Sequence, residues 1–234
     1  MTTSTNLDQG QRGLPSYLFV TVFLTGASLM SLEMASFRLV QPEFGSDIIV
    51  WGSLISVFLG GMALGAFFGG RLADRFHEVW VLGVVLVLSG ATIGFLPLYS
   101  DNVFSFFSPA SPVDLRSLGI DSDAAQAAIQ PPPDMRYVTL GAATVMFLVP
   151  TLLMGMVSPF SARLLIHNLP KLGSGIGMIS AISTLGSIVG TLGSTFYLIA
   201  VLGTRMLIAA NGILLVLLGI AAFLVSLRRK KSNA

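Results

Sequence analysis

The sequence lacks cysteine altogether, which excludes a disulfide framework, a thiolate metal site and a cysteine nucleophile. Charge is scarce as well: charged residues make up 10% of the chain, against about 25% in an ordinary soluble domain. The two histidines, His77 and His167, have no further ligand at a useful spacing, so we predict neither a metal site nor a cofactor. The net charge of +2 is small and the basic residues are dispersed, which argues against a nucleic-acid partner.

Apolar residues take the place of the missing charge: they make up 53% of the 234 residues, and the mean hydropathy is +0.83. Runs of about 20 apolar residues are long enough to cross a bilayer as helices. We therefore predict an all-α membrane protein with the lipid bilayer as its environment and without catalytic residues. Six predicted transmembrane helices lie at roughly 17–40, 48–70, 79–99, 137–164, 175–200 and 204–227.

The placement of Lys and Arg predicts the orientation in the membrane. Nine basic residues fall on one side, including the run "RRKK" near the carboxyl terminus, and four fall on the other. The tails 1–16 and 228–234 are therefore predicted to be cytoplasmic, so both termini are on that side. Residues 100–136 form a proline-rich acidic loop on the outer side. We expect a multi-pass protein of the inner (cytoplasmic) membrane.

Sliding the chain by 125 residues lays the first three predicted spans over the last three. Arg38 then meets Arg163, Gly61 meets Gly186, and Gly65 meets Gly190. Three helices per unit imply that the second unit enters the membrane from the opposite side. We predict an inverted 3+3 repeat, 17–99 and 137–227, forming a half major-facilitator-like bundle.

Glycines at regular spacing mark one face of the second and fifth predicted spans. Glycine spaced in this way lets another helix backbone approach closely. Static helix packing and a smooth surface for helices that rock during transport both fit the pattern. The residues concerned are Gly61, Gly65, Gly69, Gly186, Gly190 and Gly193.

The second predicted span ends in "GRLADR", in which Gly70, Asp74 and Arg75 resemble the first part of the loop motif of the major facilitator superfamily. The resemblance implies that the Asp and Arg connect neighbouring helix ends and stabilise one conformation. The further glycine and basic residues usual in that motif are missing, since "FHE" follows.

A closer resemblance combines "LTGASLMSLEMASFRLV", "ISVFLGGMALGAFFGGRLADR" and "PTLLMGMVSPFSARLL" in this order. The order is similar to the membrane domain of the fused major-facilitator/spermidine synthase family. Its most specific parts are Glu33 with Arg38, and Pro159 with Arg163. The resemblance implies a small cation such as a polyamine as substrate. The soluble synthase domain of that family is absent from this sequence, so we expect the chain not to be an enzyme.

Glu33 is a carboxylate within an apolar span, where a charge costs about 2.5–3.5 kcal/mol on insertion scales. It is five residues from Arg38, about 140° around a helix, so the two are poorly placed to pair. One interpretation is a neutral or paired glutamate bonded to a neighbouring helix. The other is a cation- or proton-binding group, because intramembrane ionisable residues commonly mark transport pathways.

Two classes of function follow. The first is a half-sized transporter-like protein that acts as a homodimer or with a second membrane subunit. The second is a non-transporting anchor or accessory subunit of a separately encoded synthase-like enzyme or of a larger membrane complex.

Overall fold

Six long helices form the chain in the computed structural model, which describes residues 4–107, 133–166 and 172–232. Their bounds are Ser4–Phe44 (α1), Ile48–Arg75 (α2), Val79–Phe107 (α3), Pro133–Ile166 (α4), Leu172–Gly193 (α5) and Thr204–Ser232 (α6). After Gly193, α5 continues through a π-helical turn, Ser194–Leu198, and a last α-helical turn, Ile199–Leu202. Within these described ranges there is no strand.

Each helix contains a segment that is long and apolar enough to cross a membrane. These segments are Ser16–Phe44, Ile48–Arg75, Val79–Phe107, Arg136–Leu165, Gly175–Leu202 and Thr204–Arg228. The predicted all-α, multi-pass membrane architecture is confirmed. Large apolar side chains also cover much of the outer surface, as a protein surrounded by lipid requires.

The helices extend beyond the predicted boundaries. α1 begins at Ser4, inside the predicted tail 1–16, and α3 continues to Phe107. The predicted outer loop 100–136 is therefore helical at both ends, and its residues 108–132 lie outside the described ranges. Tertiary packing explains the added turns of α3, because Phe104 is buried edge-on against Phe44 with ring centroids 5.9 Å apart.

The most extensive contacts join α2 to α4, α3 to α6 and α1 to α5, followed by α3 to α4 and α1 to α6. If α1 is exchanged with α4, α2 with α5 and α3 with α6, the same five helix pairs result. An arrangement of two equivalent three-helix units has this property.

Glycine makes the closest of these contacts possible. A Cβ at Gly65 would overlap the carbonyl oxygen of Leu152 on α4, and a Cβ at Gly190 would overlap the carbonyl oxygen of Ala27 on α1. Gly190 follows Gly65 by 125 residues, and Leu152 follows Ala27 by the same interval. Each predicted unit thus contributes one glycine that packs against the backbone of the other unit, at equivalent positions.

Five of the six glycines in the predicted stripes have another helix against them in this way: Gly61, Gly65, Gly69, Gly186 and Gly190. Gly193 does not fit the prediction, because a Cβ there would meet nothing within 4 Å. The reason is the helical period: positions four apart stay on one face, and after Gly186 and Gly190 that position belongs to Ser194, which is fully buried.

Two hydrogen bonds between side chains and neighbouring helices hold α6 against α1. Asn211 Nδ2 donates to Ser31 Oγ over 2.9 Å within the bundle, and the Tyr17 hydroxyl donates to the carbonyl oxygen of Leu218 over 2.8 Å. Asn211 and Tyr17 thus connect α6 and α1 within the bundle.

A double-mutant cycle on Asn211→Ala and Ser31→Ala measures the first of these ties. We expect a coupling of about 0.6 kcal/mol and no more than about 1.7, because polar groups in the unfolded membrane state also find partners. Urea or SDS unfolding of the two single variants and the double variant gives this number. A coupling indistinguishable from zero would contradict the hydrogen bond.

Candidate functional site

A cavity of about 370 Å³ lies where α1, α2, α4 and α5 converge, and we call it the central groove. Its lining comes from 22–29 of α1, Met62 and Ala66 of α2, 154–162 of α4 and 176–183 of α5. These stretches lie in the halves of the four helices that adjoin the α2–α3 and α4–α5 connections. By the distribution of basic residues this is the predicted cytoplasmic half of the bundle.

Small residues and a proline shape the wall of the central groove. Gly26 lets α1 approach the backbone of α5, since a Cβ there would be 2.5 Å from the carbonyl oxygen of Ser183. Pro159 lies inside α4 and lines the groove together with Gly155. Because proline has no N–H, the carbonyl of Gly155, four residues earlier, has no helical donor.

Hydroxyl groups supply the polar side chains of the central groove: Thr25, Ser158, Ser180 and Ser183. The hydroxyl of Thr25 is buried and, within the described part of the chain, has no hydrogen-bond partner. Among the described residues that line the groove, none is charged. These residues can exchange hydrogen bonds with a polar solute but offer it no counter-ion.

Glu33 is not part of the lining, although it is near it along α1. It follows Leu29, a lining residue, by four positions, which places it on the same helix face one turn farther from the groove. The side chain is half-buried. Arg38 is exposed, and the structure contains no ion pair between the two, in agreement with their spacing. The role of Glu33 as a cation- or proton-binding group stays a prediction.

Two residues predicted for different reasons come together at the end of the groove. Asp74 of the "GRLADR" segment and Arg163 of α4 form an ion pair, with 3.1 Å between Asp74 Oδ1 and Arg163 Nε. Both side chains are partly exposed, so the pair contributes little to stability, about 0–1 kcal/mol. Arg75 lies apart from this pair, with its guanidinium 5.6 Å from the Phe76 ring, and a Cβ at Gly70 would meet nothing within 4 Å.

The hydroxyl set of the groove was not predicted as a site. Another serine of α5, Ser187, makes a hydrogen bond between helices by donating to the carbonyl oxygen of Gly26 over 3.4 Å. The sequence does contain an indication of this set. Ser180 and Ser183 are three residues apart, which places them on one face of α5, and Ser158 directly precedes a proline within α4. No group of three or more metal-ligating side chains occurs among the described residues.

Comparison with known proteins adds one similarity. Over 148 residues the chain is 32% identical to the cis,cis-muconate transport protein of Acinetobacter baylyi (strain ATCC 33305 / BD413 / ADP1). The matched region covers 61% of this chain and 35% of that protein, so the chain spans about a third of the length of this relative. No protein-family profile matches the chain, and no solved structure matches it.

The similarity and the six apolar helices together support a transporter-like membrane protein. The expectation that the chain is not an enzyme is consistent with the relative's description as a transport protein. The resemblance to spermidine synthase-like proteins is not tested by them and stays a prediction.

Proposed function

We propose that this chain is a six-helix module of a membrane transporter for a small organic acid, and that the central groove forms one wall of the transport path. The observation that carries the proposal is the lining of the groove, in which four hydroxyl groups lie on an otherwise apolar wall. The similarity to a cis,cis-muconate transport protein supports the same class of solute, since muconate is a dicarboxylate.

An organic acid suits this lining better than a polyamine does. Carboxylate oxygens accept hydrogen bonds from serine and threonine hydroxyls, and four such hydroxyl groups line the groove. A polyamine carries several positive charges, which require carboxylates along the path. The polyamine was predicted from the family resemblance, and Glu33, its candidate binding residue, lies one turn beyond the groove. In the organic-acid proposal Glu33 instead carries a proton that is coupled to transport.

We propose further that the module is an inverted repeat and that a second six-helix module covers the central groove, supplied by a second copy or by another polypeptide segment. The matched contacts of Gly65 with Leu152 and of Gly190 with Ala27 support the repeat. The face of α5 supports the second module. In the apolar stretch of the span Gly175–Leu202 only 17% is buried, the smallest share among the six candidate spans of the described residues.

The second candidate is a non-transporting anchor or accessory subunit. It is favoured by an outward-facing row of small residues on α2, Gly52, Ser56 and Gly60, which are exposed. A Cβ at Gly52 or Gly60 would meet nothing within 4 Å, so a helix of another subunit has room to approach.

Counterflow into proteoliposomes separates these functions. We expect labelled cis,cis-muconate to exchange and spermidine not to exchange. Ser180→Phe, which fills the groove, should abolish the exchange. Thr144→Phe should not, because Thr144 is a half-buried residue of α4 that does not belong to the lining. Exchange of spermidine without exchange of muconate would support a polyamine as substrate. If a folded, densely reconstituted chain exchanged neither solute, the accessory-subunit function would be favoured.

A further inference from the structure

The helix α5 is interrupted near its end, whereas the equivalent helix of the first unit is not. α2 runs as an α-helix from Ile48 to Arg75. In α5 the π-helical turn Ser194–Leu198 precedes the last turn, Ile199–Leu202. A hydrogen bond in a π-helical turn joins residues five apart instead of four, so the turn holds one residue more, and such turns are frequent at functional sites. We call residues 194–202 the strap.

Backbone contacts hold the helices on both sides of the strap. Before it, a Cβ at Gly190 would overlap the carbonyl oxygen of Ala27 on α1. After it, a Cβ at Gly212 of α6 would lie 2.6 Å from the backbone nitrogen of Gly94 on α3. Two closely packed helices have to separate before either contact can change. The strap is thus a short link between two fixed parts of the bundle.

Each end of the strap has a place at which the backbone can turn. The π-helical turn is one of them, because it can return to α-helical hydrogen bonds. Gly203, directly after the strap, is the other, since its φ of 77° is a conformation that glycine adopts without steric cost. Hinges in proteins consist of a few such residues at the ends of helices. The geometry therefore allows the strap to move as one piece.

Ser194 indicates that the observed turn leaves a hydrogen bond unmade. Thr184 and Thr191 of the same helix donate their hydroxyl groups to the carbonyl oxygen four residues earlier. The hydroxyl of Ser194 is fully buried and has no partner among the described residues. In a regular α-helix Ser194 has the same acceptor as the two threonines, the carbonyl oxygen four residues earlier. A second arrangement of the strap thus recovers a hydrogen bond that the observed one lacks.

The strap also lacks the tie that holds the end of α2. Asp74, in the last turn of α2, pairs with Arg163 of α4. The positions related to these two by 125 residues are Ile199, within the strap, and Arg38 of α1. Isoleucine cannot form an ion pair, so this tie has no counterpart between α5 and α1.

We propose that the strap moves between two arrangements, the observed one and one in which α5 is a regular α-helix to its end. A shift by one residue corresponds to a rotation of about 100° and a translation of about 1.5 Å. Because 176–183 of the same helix line the central groove, the strap opens and closes the predicted outer end of that groove. This gating role rests on the proposed function, whereas the movement itself does not.

Distances between two spin labels test the movement, and the absence of cysteine from the sequence allows labels at chosen positions. Tyr197→Cys with Asn102→Cys measures the strap against the end of α3, at two exposed residues. Side-chain tips lie about 5–6 Å from a helix axis, so a rotation of about 100° displaces the label by about 8 Å. We expect two distances by double electron–electron resonance of the chain in nanodiscs. Leu217→Cys with Asn102→Cys is the control pair and should give one distance, because α6 is fixed against α3.

A deletion tests the role of the π-helical turn. Deletion of Phe196 removes one residue from the turn and should leave a single distance, that of the regular helix. Phe196→Ala is the matched control, since it removes the same side chain, keeps the turn and should keep both distances. In the muconate assay the deletion should abolish exchange and Phe196→Ala should not.

The two measurements separate this proposal from the proposed function. A single distance in the unaltered chain would overturn the movement of the strap, whether or not muconate is exchanged. Two distances that persist after the deletion would overturn the π-helical turn as the hinge. Two distances in a chain that exchanges no muconate would support the movement and contradict the proposed function alone.

Discussion

Gly65→Ala is expected to prevent the six helices from assembling, whereas Gly60→Ala, on the same helix, leaves the bundle folded. The added methyl group at Gly65 would overlap the carbonyl oxygen of Leu152 and lie 2.9 Å from the Cα of Gly155. Both neighbours are backbone, so α2 and α4 have to separate along the most extensive helix contact of the fold. Overpacking a well-packed core ordinarily costs about 1–3 kcal/mol, and a clash with backbone should exceed that range.

The control variant isolates the clash from helix propensity. At Gly60 a Cβ meets nothing within 4 Å, so Gly60→Ala adds the same methyl group without a contact. Alanine favours helix over glycine by about 0.8–1 kcal/mol in water, which acts equally at both positions. Size-exclusion profiles and thermal unfolding of the two variants in detergent give the comparison. Equal unfolding temperatures would show that the α2–α4 contact is looser than described.

The same comparison exists in the second unit. Gly190→Ala should be as damaging as Gly65→Ala, because a Cβ at Gly190 would overlap the carbonyl oxygen of Ala27 and lie 2.6 Å from the Ala27 Cα. Gly193→Ala should be tolerated, since Gly193 has open space at Cβ. A harmful Gly193→Ala would restore the sequence-based prediction for that residue.

Glu33→Gln is expected to abolish proton-driven accumulation of substrate while leaving the chain folded. Glutamine has the size and hydrogen-bonding reach of glutamate but cannot take up and release a proton. Glu33 shares the α1 face that lines the central groove, one turn beyond Leu29, where a proton carrier can respond to the occupied groove. Accumulation should fall to the level of empty vesicles.

Stability separates the two interpretations of Glu33. If the carboxylate serves transport, removing a charge that costs about 2.5–3.5 kcal/mol within a span should leave the bundle equally or more resistant to unfolding. If it is a structural partner of a neighbouring helix, Glu33→Gln should lower that resistance. Glu43→Gln is the control, because Glu43 is an exposed acid near the end of α1. Normal accumulation in Glu33→Gln would remove Glu33 from the mechanism.

Much of the fold follows from the sequence, because the lipid environment leaves few alternatives. Six apolar runs long enough to cross a bilayer lead to six helices, since a helix satisfies its own backbone hydrogen bonds in hydrocarbon. The glycines four apart at Gly61, Gly65 and Gly69 indicate a close helix contact. They do not indicate that α4 makes it, because any backbone can approach a glycine face.

The remaining differences depend on packing in three dimensions. α3 extends to Phe107 because Phe104 meets Phe44 of another helix, which local sequence does not show. The central groove depends on where four helices diverge, so its hydroxyl groups look like ordinary interhelical ties in the sequence. Asp74 and Arg163 are each visible as helix-end charges, but their pairing requires the contact between α2 and α4.

The central claim is that the six-helix module transports only when a second module faces it. The most direct test compares transport in vesicles that hold one module with transport in vesicles that hold two. Counterflow of labelled muconate is measured in vesicles that hold one single chain each and in vesicles that hold one tandem fusion of two copies each. The predicted topology has both termini on one side, so a short linker is expected to join two copies in the same orientation. We predict exchange in the tandem vesicles and none with the single chain. Exchange by vesicles with one unfused chain would contradict the account.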